Sequence, residues 1–352
     1  MTFLSTGGRA SALPWRSAII VWALFFAICA GLGYGTLNRF DPARTLALAD
    51  ARQYAQLVVE NPGPDIRYHR SLRVLVPFMA RPVYHLANGR VGTWSPVFLG
   101  LLAVNAALVA TAALMLAVIA GGLGLEHPVG ILAGLLLAVN HTVVNAHLTG
   151  MVDSAELCAA VLLAWALREG RWWALVPIGV AAALGKETFV VFGGVIAAVW
   201  WWMVWRRSPA ALRGALWIVA MVAAGLATVV LVRLMVTGAL VGPVAFAVGF
   251  AAASSGVLAR IGFHLLDPDF WYGLVWLLPL GAWSLRRLPR EWVISAFAAA
   301  GVALALGVYA MAGGGNVARP IISLAGPPLS LAAAITLVRQ PWLKAAREPV
   351  EV

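Results

Sequence analysis

The sequence predicts an all-α, polytopic membrane protein that forms a single integral-membrane domain over residues 1–352. Hydrophobic residues make up 62% of the chain and charged residues only 11%, whereas soluble domains have about 25% charged residues. The apolar stretches are continuous and do not alternate, which favours membrane helices over an outer-membrane barrel. The net charge of +11 is scattered between these stretches. It therefore indicates membrane lipids or a phosphorylated lipid as partners, and not nucleic acid.

Stretches of roughly 20 mostly apolar residues can cross a bilayer as helices. The stretch that follows Arg16 is longer than the ~7–15 apolar residues of a signal peptide, so we interpret it as a first span. About ten spans are predicted by this criterion. They lie near residues 17–36, 96–120, 129–148, 151–167, 172–185, 188–205, 214–235, 270–285, 292–312 and 320–338.

Arginines between the spans predict the orientation. Five basic groups are separated by even numbers of spans, so they fall on one side of the membrane, and the positive-inside rule makes that side the cytoplasm. The groups are Arg9 and Arg16; Arg168 and Arg171; Arg206, Arg207 and Arg213; Arg286, Arg287 and Arg290; and Arg339, Lys344 and Arg347. We therefore predict an inner or plasma membrane protein with both termini in the cytoplasm. The C-terminal residues 339–352 form a cytoplasmic tail.

Residues 37–95 form a long first extracytoplasmic loop that contains short interfacial helices. Its first part predicts a helix with Asp41 as N-cap and Pro42 at the first helical position, ending at Asn61-Pro62. At ~100° per residue, Asp50 shares one face with Leu46, Tyr54 and Leu57. Asp50 is therefore either paired structurally or available for chemistry.

The same loop is rich in arginine, which long translocated loops tolerate. Arg67, Arg70 and Arg73 recur every third residue around His69, and an anionic ligand would explain this external positive charge. A planar guanidinium suits phosphate oxygens. The alternative is an interfacial segment, interrupted by prolines 77 and 82, whose arginines reach lipid headgroups.

Ionisable residues also lie at the external ends of later spans, where they are functional candidates by default. His141, His147, Asp153 and Glu156 match no metal-ligand spacing, so hydrogen bonds in helix packing are favoured over a metal site. Cys29 and Cys158 lie within apolar stretches and are interpreted as small buried residues.

Lys186 and Glu187 lie together between two predicted spans. Lys186 either pairs with Glu187 and neighbouring acids or contacts a ligand phosphate, and the ligand is slightly favoured. Asp267 and Asp269 could hold a divalent cation, but the intervening proline favours a turn and a helix cap. Arg319 lies at the external start of the last span. No resident cofactor or metal is expected, a divalent cation being the one alternative.

Three short motifs resemble the GT-C superfamily of integral-membrane glycosyltransferases, which includes protein mannosyltransferases and lipid A aminoarabinose transferases. ADARQYAQL is similar to the family's D-E-x-R-Y-A, with Ala51 in place of the second acidic residue. The Lys186-Glu187 pair lies at a span boundary. ARPIISLAGPP is similar to R-Y-L-L-P-A-x-P, with Arg319-Pro320 in place of Arg-Tyr. Because the second acidic residue is missing, the resemblance does not imply a metal. We expect no soluble C-terminal domain of the kind that larger relatives use for acceptor recognition, so the resemblance does not imply a particular acceptor.

The resemblance implies transfer of a sugar from a polyprenyl-phosphate donor to an acceptor at the extracytoplasmic face. Asp50 would be the general base, and basic residues would neutralise the departing phosphate. The candidate residues for binding the substrate are Tyr54, Arg67, Arg70, Arg73, Lys186, Glu187 and Arg319, and the secondary candidates are His69, Asp153, Asp267 and Asp269. Two other hypotheses are a transporter or flippase of lipid-linked substrates and a non-catalytic membrane subunit. The nearly charge-free middles of the spans count against the transporter.

Overall fold

A computed structural model describes residues 14–39, 50–59, 72–91, 95–206, 208–209, 211–237, 256–310 and 317–339. Every regular element in these ranges is helical and none is a strand, which confirms the predicted all-α class. The first nine helices are α1 (Trp15–Arg39), α2 (Ala51–Val58), α3 (Leu75–Ala87), α4 (Pro96–Gly122), α5 (His127–Ala138), α6 (Asp153–Arg168), α7 (Trp172–Gly185), α8 (Phe189–Trp200) and α9 (Ala211–Thr237). They are followed by α10 (Val257–Leu266), α11 (Pro268–Leu274), α12 (Leu277–Ala282), α13 (Arg290–Ala310) and α14 (Ala318–Val338).

Five helices in the described part of the chain are long and apolar enough to cross a membrane, which supports a helical membrane protein. These are α1, α4, α9, α13 and α14. Three shorter apolar helices, α5, α7 and α8, pack beside them, and α8 continues into a π-helical turn at Trp201–Trp205. The count of about ten spans thus remains a prediction.

Two predicted spans are interrupted in the structure, and hydrogen bonds of the Asn140 side chain explain both interruptions. The span predicted near 129–148 ends early, at Ala138, the last residue of α5. Just after it, the Asn140 side-chain oxygen accepts a hydrogen bond from the Thr142 backbone N–H at 3.0 Å. Such local bonds compete with a helix. The Asn140 amide also donates to the Gly273 carbonyl at 2.7 Å. That carbonyl would otherwise accept within a continuous helix, and the span predicted near 270–285 is instead divided into α11 and α12.

The core is organised around α14, which is buried along almost its whole length and contacts α5, α6, α12 and α13. Small residues allow this packing. A side chain at Gly281 of α12 would approach the Leu329 carbonyl of α14 at 2.8 Å, and one at Gly134 of α5 would approach the Ala113 carbonyl of α4 at 2.7 Å. In contrast, α1 and α9 are mostly exposed and present large apolar side chains such as Ile20 and Met235. These two helices therefore lie at the lipid-facing periphery.

Cross-helix contacts place the described members of the predicted basic groups at one end of the bundle. Arg168 donates to the Gly122 carbonyl, so α4 and α6 end together. Trp201 donates to the Ala211 carbonyl at 2.9 Å, and Ser284 lies 2.7 Å from Thr336. We call the exposed arginines at this end the arginine rim. Its members are Arg16, Arg171, Arg206, Arg213, Arg286, Arg287, Arg290 and Arg339.

Helices α2 and α3 belong to the predicted first loop and lie at the end of the bundle opposite the arginine rim. Arg81 of α3 donates to the Leu57 carbonyl of α2 at 3.0 Å, which joins the two helices. Helix α3 runs through Pro82 and packs on α4, where Gly100 leaves room for the Ala80 carbonyl. The predicted helix start at Asp41, its end at Asn61-Pro62, and the residues Leu46, Arg67, His69 and Arg70 lie outside the described ranges.

Candidate functional site

Charged side chains from α6, α14 and the α7–α8 turn meet at the end of the bundle opposite the arginine rim. The Lys186 ammonium donates to Asp153 at 2.7 Å and to Glu156 at 2.6 Å. The Arg319 guanidinium lies 3.4 Å from the other oxygen of Asp153. Asp153 and Glu156 are buried, and so is Lys186. The charges of Asp153, Glu156 and Lys186 are therefore removed from solvent, and each has an opposite charge within hydrogen-bonding reach.

The start of α6 is held by an amide on α4. Asn105 donates to the Met151 carbonyl at 2.9 Å, and the Ser154 hydroxyl donates to the Asn105 side-chain oxygen. Gly150 has φ of +81°, a conformation that favours glycine, and turns the chain just before the helix. Asp153 and Glu156 then occupy the first turn, where the helix dipole stabilises carboxylates.

A second ion pair connects the first loop to the bundle. Arg73 donates through Nε and Nη2 to the two carboxylate oxygens of Glu187 at 2.9 and 2.8 Å, and through Nη1 to the Tyr54 hydroxyl at 3.0 Å. Burial would raise the pKa of Glu187, but the Arg73 guanidinium holds that pKa below its ordinary value. Burial also raises the pKa of Tyr54, an effect that Arg73 opposes. We call Tyr54, Arg73 and Glu187 the loop latch.

The loop latch and the Lys186 group form one electrostatic cluster. Arg73 interacts with both Glu156 and Lys186, and Asp153 interacts with Tyr54. The cluster contains three cations, Arg73, Lys186 and Arg319, and three carboxylates, Asp153, Glu156 and Glu187. These three cations, which the sequence offers as candidates for binding an anionic ligand, therefore each have a carboxylate partner within the chain.

The structure shows which acids pair with Lys186. Of Glu187 and the neighbouring acids that the sequence offered as partners, Lys186 binds Asp153 and Glu156 and not Glu187. Lys186 has extended backbone angles, with φ of −160° and ψ of 114°. Successive side chains of an extended chain point in opposite directions. Lys186 therefore faces α6, while Glu187 faces Arg73.

Asp50 lies immediately before α2 and is half-buried. It is one turn away from Tyr54, with which it interacts electrostatically. Its side chain does not cap α2. The next residue, Ala51, is buried against the loop at Gly150. Asp50 is thus placed close to the segment that leads into α6.

A cavity of about 140 Å³ lies beside the cluster. Arg319 and Asp269 line it together with residues from the segment between α5 and α6. Those residues are His141, Thr142, Asn145, Ala146 and Met151. The His141 ring lies 5.1 Å from the Tyr272 ring. The cavity therefore offers a cation, a carboxylate, an amide and an imidazole to a small polar group.

The remaining sequence candidates have structural positions. His147 is buried and lies 3.2 Å from the Ser323 hydroxyl, as expected for helix packing. Asp267 accepts from the Asp269 backbone N–H at 3.0 Å and caps α11, which confirms the predicted turn and cap. Cys29 and Cys158 are buried free thiols. No three His, Cys, Asp or Glu side chains in the described ranges are grouped so that they could hold a metal ion.

Sequence reasoning missed Asn105 and Ser154, which hold the start of α6, and Ser323, which lies beside His147. Asn105 and Ser323 are polar residues inside apolar stretches, and such residues hydrogen-bond between membrane helices. That signal was present in the sequence, but it does not identify the partner.

Comparisons with known proteins found no match: no protein family, no curated protein and no solved structure matches the chain.

Proposed function

We propose that the protein is a glycosyltransferase that moves a sugar from a polyprenyl-phosphate donor to an acceptor at the end of the bundle opposite the arginine rim. One observation carries this proposal. The three short motifs that resemble the GT-C superfamily, far apart in the sequence, meet in space through the contacts of Tyr54 with Arg73, Arg73 with Glu187, Lys186 with Asp153, and Asp153 with Arg319.

The topology belongs to the same proposal. The arginine rim lies on the cytoplasmic side of an inner or plasma membrane, about ten spans cross that membrane, and both termini are cytoplasmic. The charged cluster then faces the extracytoplasmic side, where a lipid-linked sugar would be presented.

Arg319 is the cation best placed to meet the donor phosphate. Its only ion pair among the described residues is the long one to Asp153, and its side chain lines the cavity. Lys186 and Arg73 have shorter contacts with carboxylates, so they fix the geometry and add positive potential. As the bond between the anomeric carbon and the phosphate oxygen breaks, its electron pair passes to that oxygen, and Arg319 stabilises the resulting charge.

Asp50 is the proposed general base. The acceptor hydroxyl or amine forms the new bond to the anomeric carbon and gives its proton to the Asp50 carboxylate. The configuration inverts because the displacement is direct. Asp153 is less suited to this role, since Lys186 and Arg319 both bind it. Asp269 lines the cavity and is the rival base.

Purified protein in lipid nanodiscs, incubated with labelled polyprenyl-phosphate sugars, tests the proposal through release of the lipid phosphate. We expect release with at least one donor in the presence of a membrane extract that supplies acceptors. Arg319→Gln should reduce it, whereas Glu169→Gln, a change at the opposite end, should not. Absence of release with every donor, from protein shown to be folded, would contradict the proposal.

A further inference from the structure

The two ends of the bundle compensate their positive charges differently. At the cluster end, Arg73, Lys186 and Arg319 all have carboxylate partners. At the other end, Arg168 pairs with Glu169 at 2.7 Å, but no member of the arginine rim pairs with a carboxylate in the described ranges. All of the rim arginines are exposed. The rim therefore presents positive charge that no carboxylate among the described residues neutralises.

Tryptophan rings accompany three of these arginines. The guanidinium of Arg206 lies 4.0 Å from the ring centroid of Trp202, that of Arg286 lies 5.2 Å from Trp283, and that of Arg16 lies 5.5 Å from Trp15. The three rings are themselves largely exposed, at 57%, 67% and 69%. They come from α1, from the turn after α8 and from the turn after α12, so the pattern is not confined to one helix.

The chemistry of an Arg–Trp pair matches the boundary between lipid tails and headgroups. Tryptophan favours this level of the bilayer, because its ring is amphipathic. An arginine stacked on that ring is held at the same depth and directs its N–H donors toward phosphate oxygens. Neighbouring exposed apolar residues such as Leu212 and Leu216 continue the surface into the hydrocarbon region. An acidic protein would match the charge but not the exposed tryptophans.

We propose that the arginine rim is a binding surface for anionic phospholipids, whose phosphate groups are held by the three Arg–Trp pairs. The rim then selects anionic over zwitterionic lipid in the surrounding shell. This inference does not depend on the proposed glycosyl transfer, since it concerns the opposite end of the bundle.

Native mass spectrometry of the full chain, titrated with phosphatidylglycerol or phosphatidylcholine, tests the inference. The wild type should retain phosphatidylglycerol preferentially. Arg206→Gln with Arg286→Gln should lower its affinity about 25-fold, since each arginine near an anionic surface contributes roughly 1 kcal/mol and 1.4 kcal/mol is a factor of ten. The matched control is Arg52→Gln with Arg90→Gln, two exposed arginines at the cluster end, and it should keep the wild-type affinity.

A second variant separates ring from charge. Trp202→Ala with Trp283→Ala retains both guanidiniums, and we expect a smaller loss of phosphatidylglycerol that is still specific to the rim. Equal retention of the two lipids by the wild type would overturn the inference, as would equal losses in the rim and control variants. Stronger binding of an acidic poly-glutamate peptide than of phosphatidylglycerol would assign the rim to a protein partner instead.

Discussion

Replacing Arg73 should detach α2 from the bundle without unfolding the bundle itself. Arg73 is the residue through which Tyr54 of α2 is joined to Glu187 of the α7–α8 turn. Both oxygens of Glu187 are engaged, and the side chains are only 16% and 7% exposed. Arg73→Met leaves the Glu187 carboxylate buried without its cation. The Tyr54 hydroxyl loses its partner as well.

The magnitude follows from the burial of this pair. Removing one partner of a buried ion pair costs about 3–5 kcal/mol, which corresponds to about 150- to 5,000-fold more opening. Replacing both partners by apolar residues, as in Arg73→Met with Glu187→Leu, removes the stranded charge. That double variant should lie within about 1 kcal/mol of the wild type. The coupling between the two positions should therefore exceed roughly 2 kcal/mol.

Hydrogen exchange of the amides in α2, measured on the protein in nanodiscs, reports this opening directly. Arg90→Met is the matched control, because Arg90 is exposed and its guanidinium donates locally, to the Leu86 carbonyl at the end of α3. Its effect should stay within about 0.5 kcal/mol. Unchanged exchange of α2 in Arg73→Met would refute the loop latch, and so would a double variant whose loss equals the sum of the two single losses.

Three further predictions concern pH, the cavity and the topology. The pKa of Glu187 is lowered in the docked state. Docking of α2 should therefore be constant above the ordinary glutamate pKa of about 4.3 and weaken as the pH falls through the lower docked-state pKa. Hydrogen exchange of α2 measured from pH 7 to 3 checks this, and Glu187→Gln should abolish the pH dependence. Arg319→Gln should weaken binding of a polyprenyl phosphate at least tenfold, since a charged hydrogen bond contributes ~1.5–3 kcal/mol; an unchanged calorimetric affinity would remove Arg319 from the phosphate site. Cysteines at positions 90 and 171, which lie at opposite ends of the bundle, should be labelled from opposite sides of sealed vesicles, and labelling of both from one side would contradict the topology.

The sequence predicted the helical class and the grouping of charges by end, because both depend on averages. Hydropathy over about 20 residues is insensitive to any one side chain, and five separate basic groups agree on one side. Interruptions of spans depend on single atoms. The Asn140 side chain ends α5 locally and takes the Gly273 carbonyl more than 100 residues away, and no average over a window contains that contact.

The candidate residues were predictable as individuals but not as pairs. Polar residues in apolar surroundings pointed to Asp153, Lys186, Glu187 and Arg319, and the structure brings all four into one cluster. Their partners depend on backbone direction, as the extended conformation of Lys186 illustrates. The three-residue spacing of Arg67, Arg70 and Arg73 suggested joint action on an anion. Of these three, Arg73 lies in the described ranges, and it binds Glu187 and Tyr54.

The most direct test of the account is the rate of sugar transfer by Asp50→Asn under single-turnover conditions, with the donor bound at saturation. Asparagine keeps the size of the side chain and most of its hydrogen bonding but cannot accept the proton. General-base catalysis contributes roughly 10²–10⁴-fold, so transfer should slow by that factor while polyprenyl-phosphate binding and the exchange of α2 stay at wild-type values. Glu169→Gln, a change at the opposite end of the bundle, is the control and should transfer normally. A near-normal rate for folded, donor-bound Asp50→Asn would contradict the account and return Asp50 to a role in helix packing.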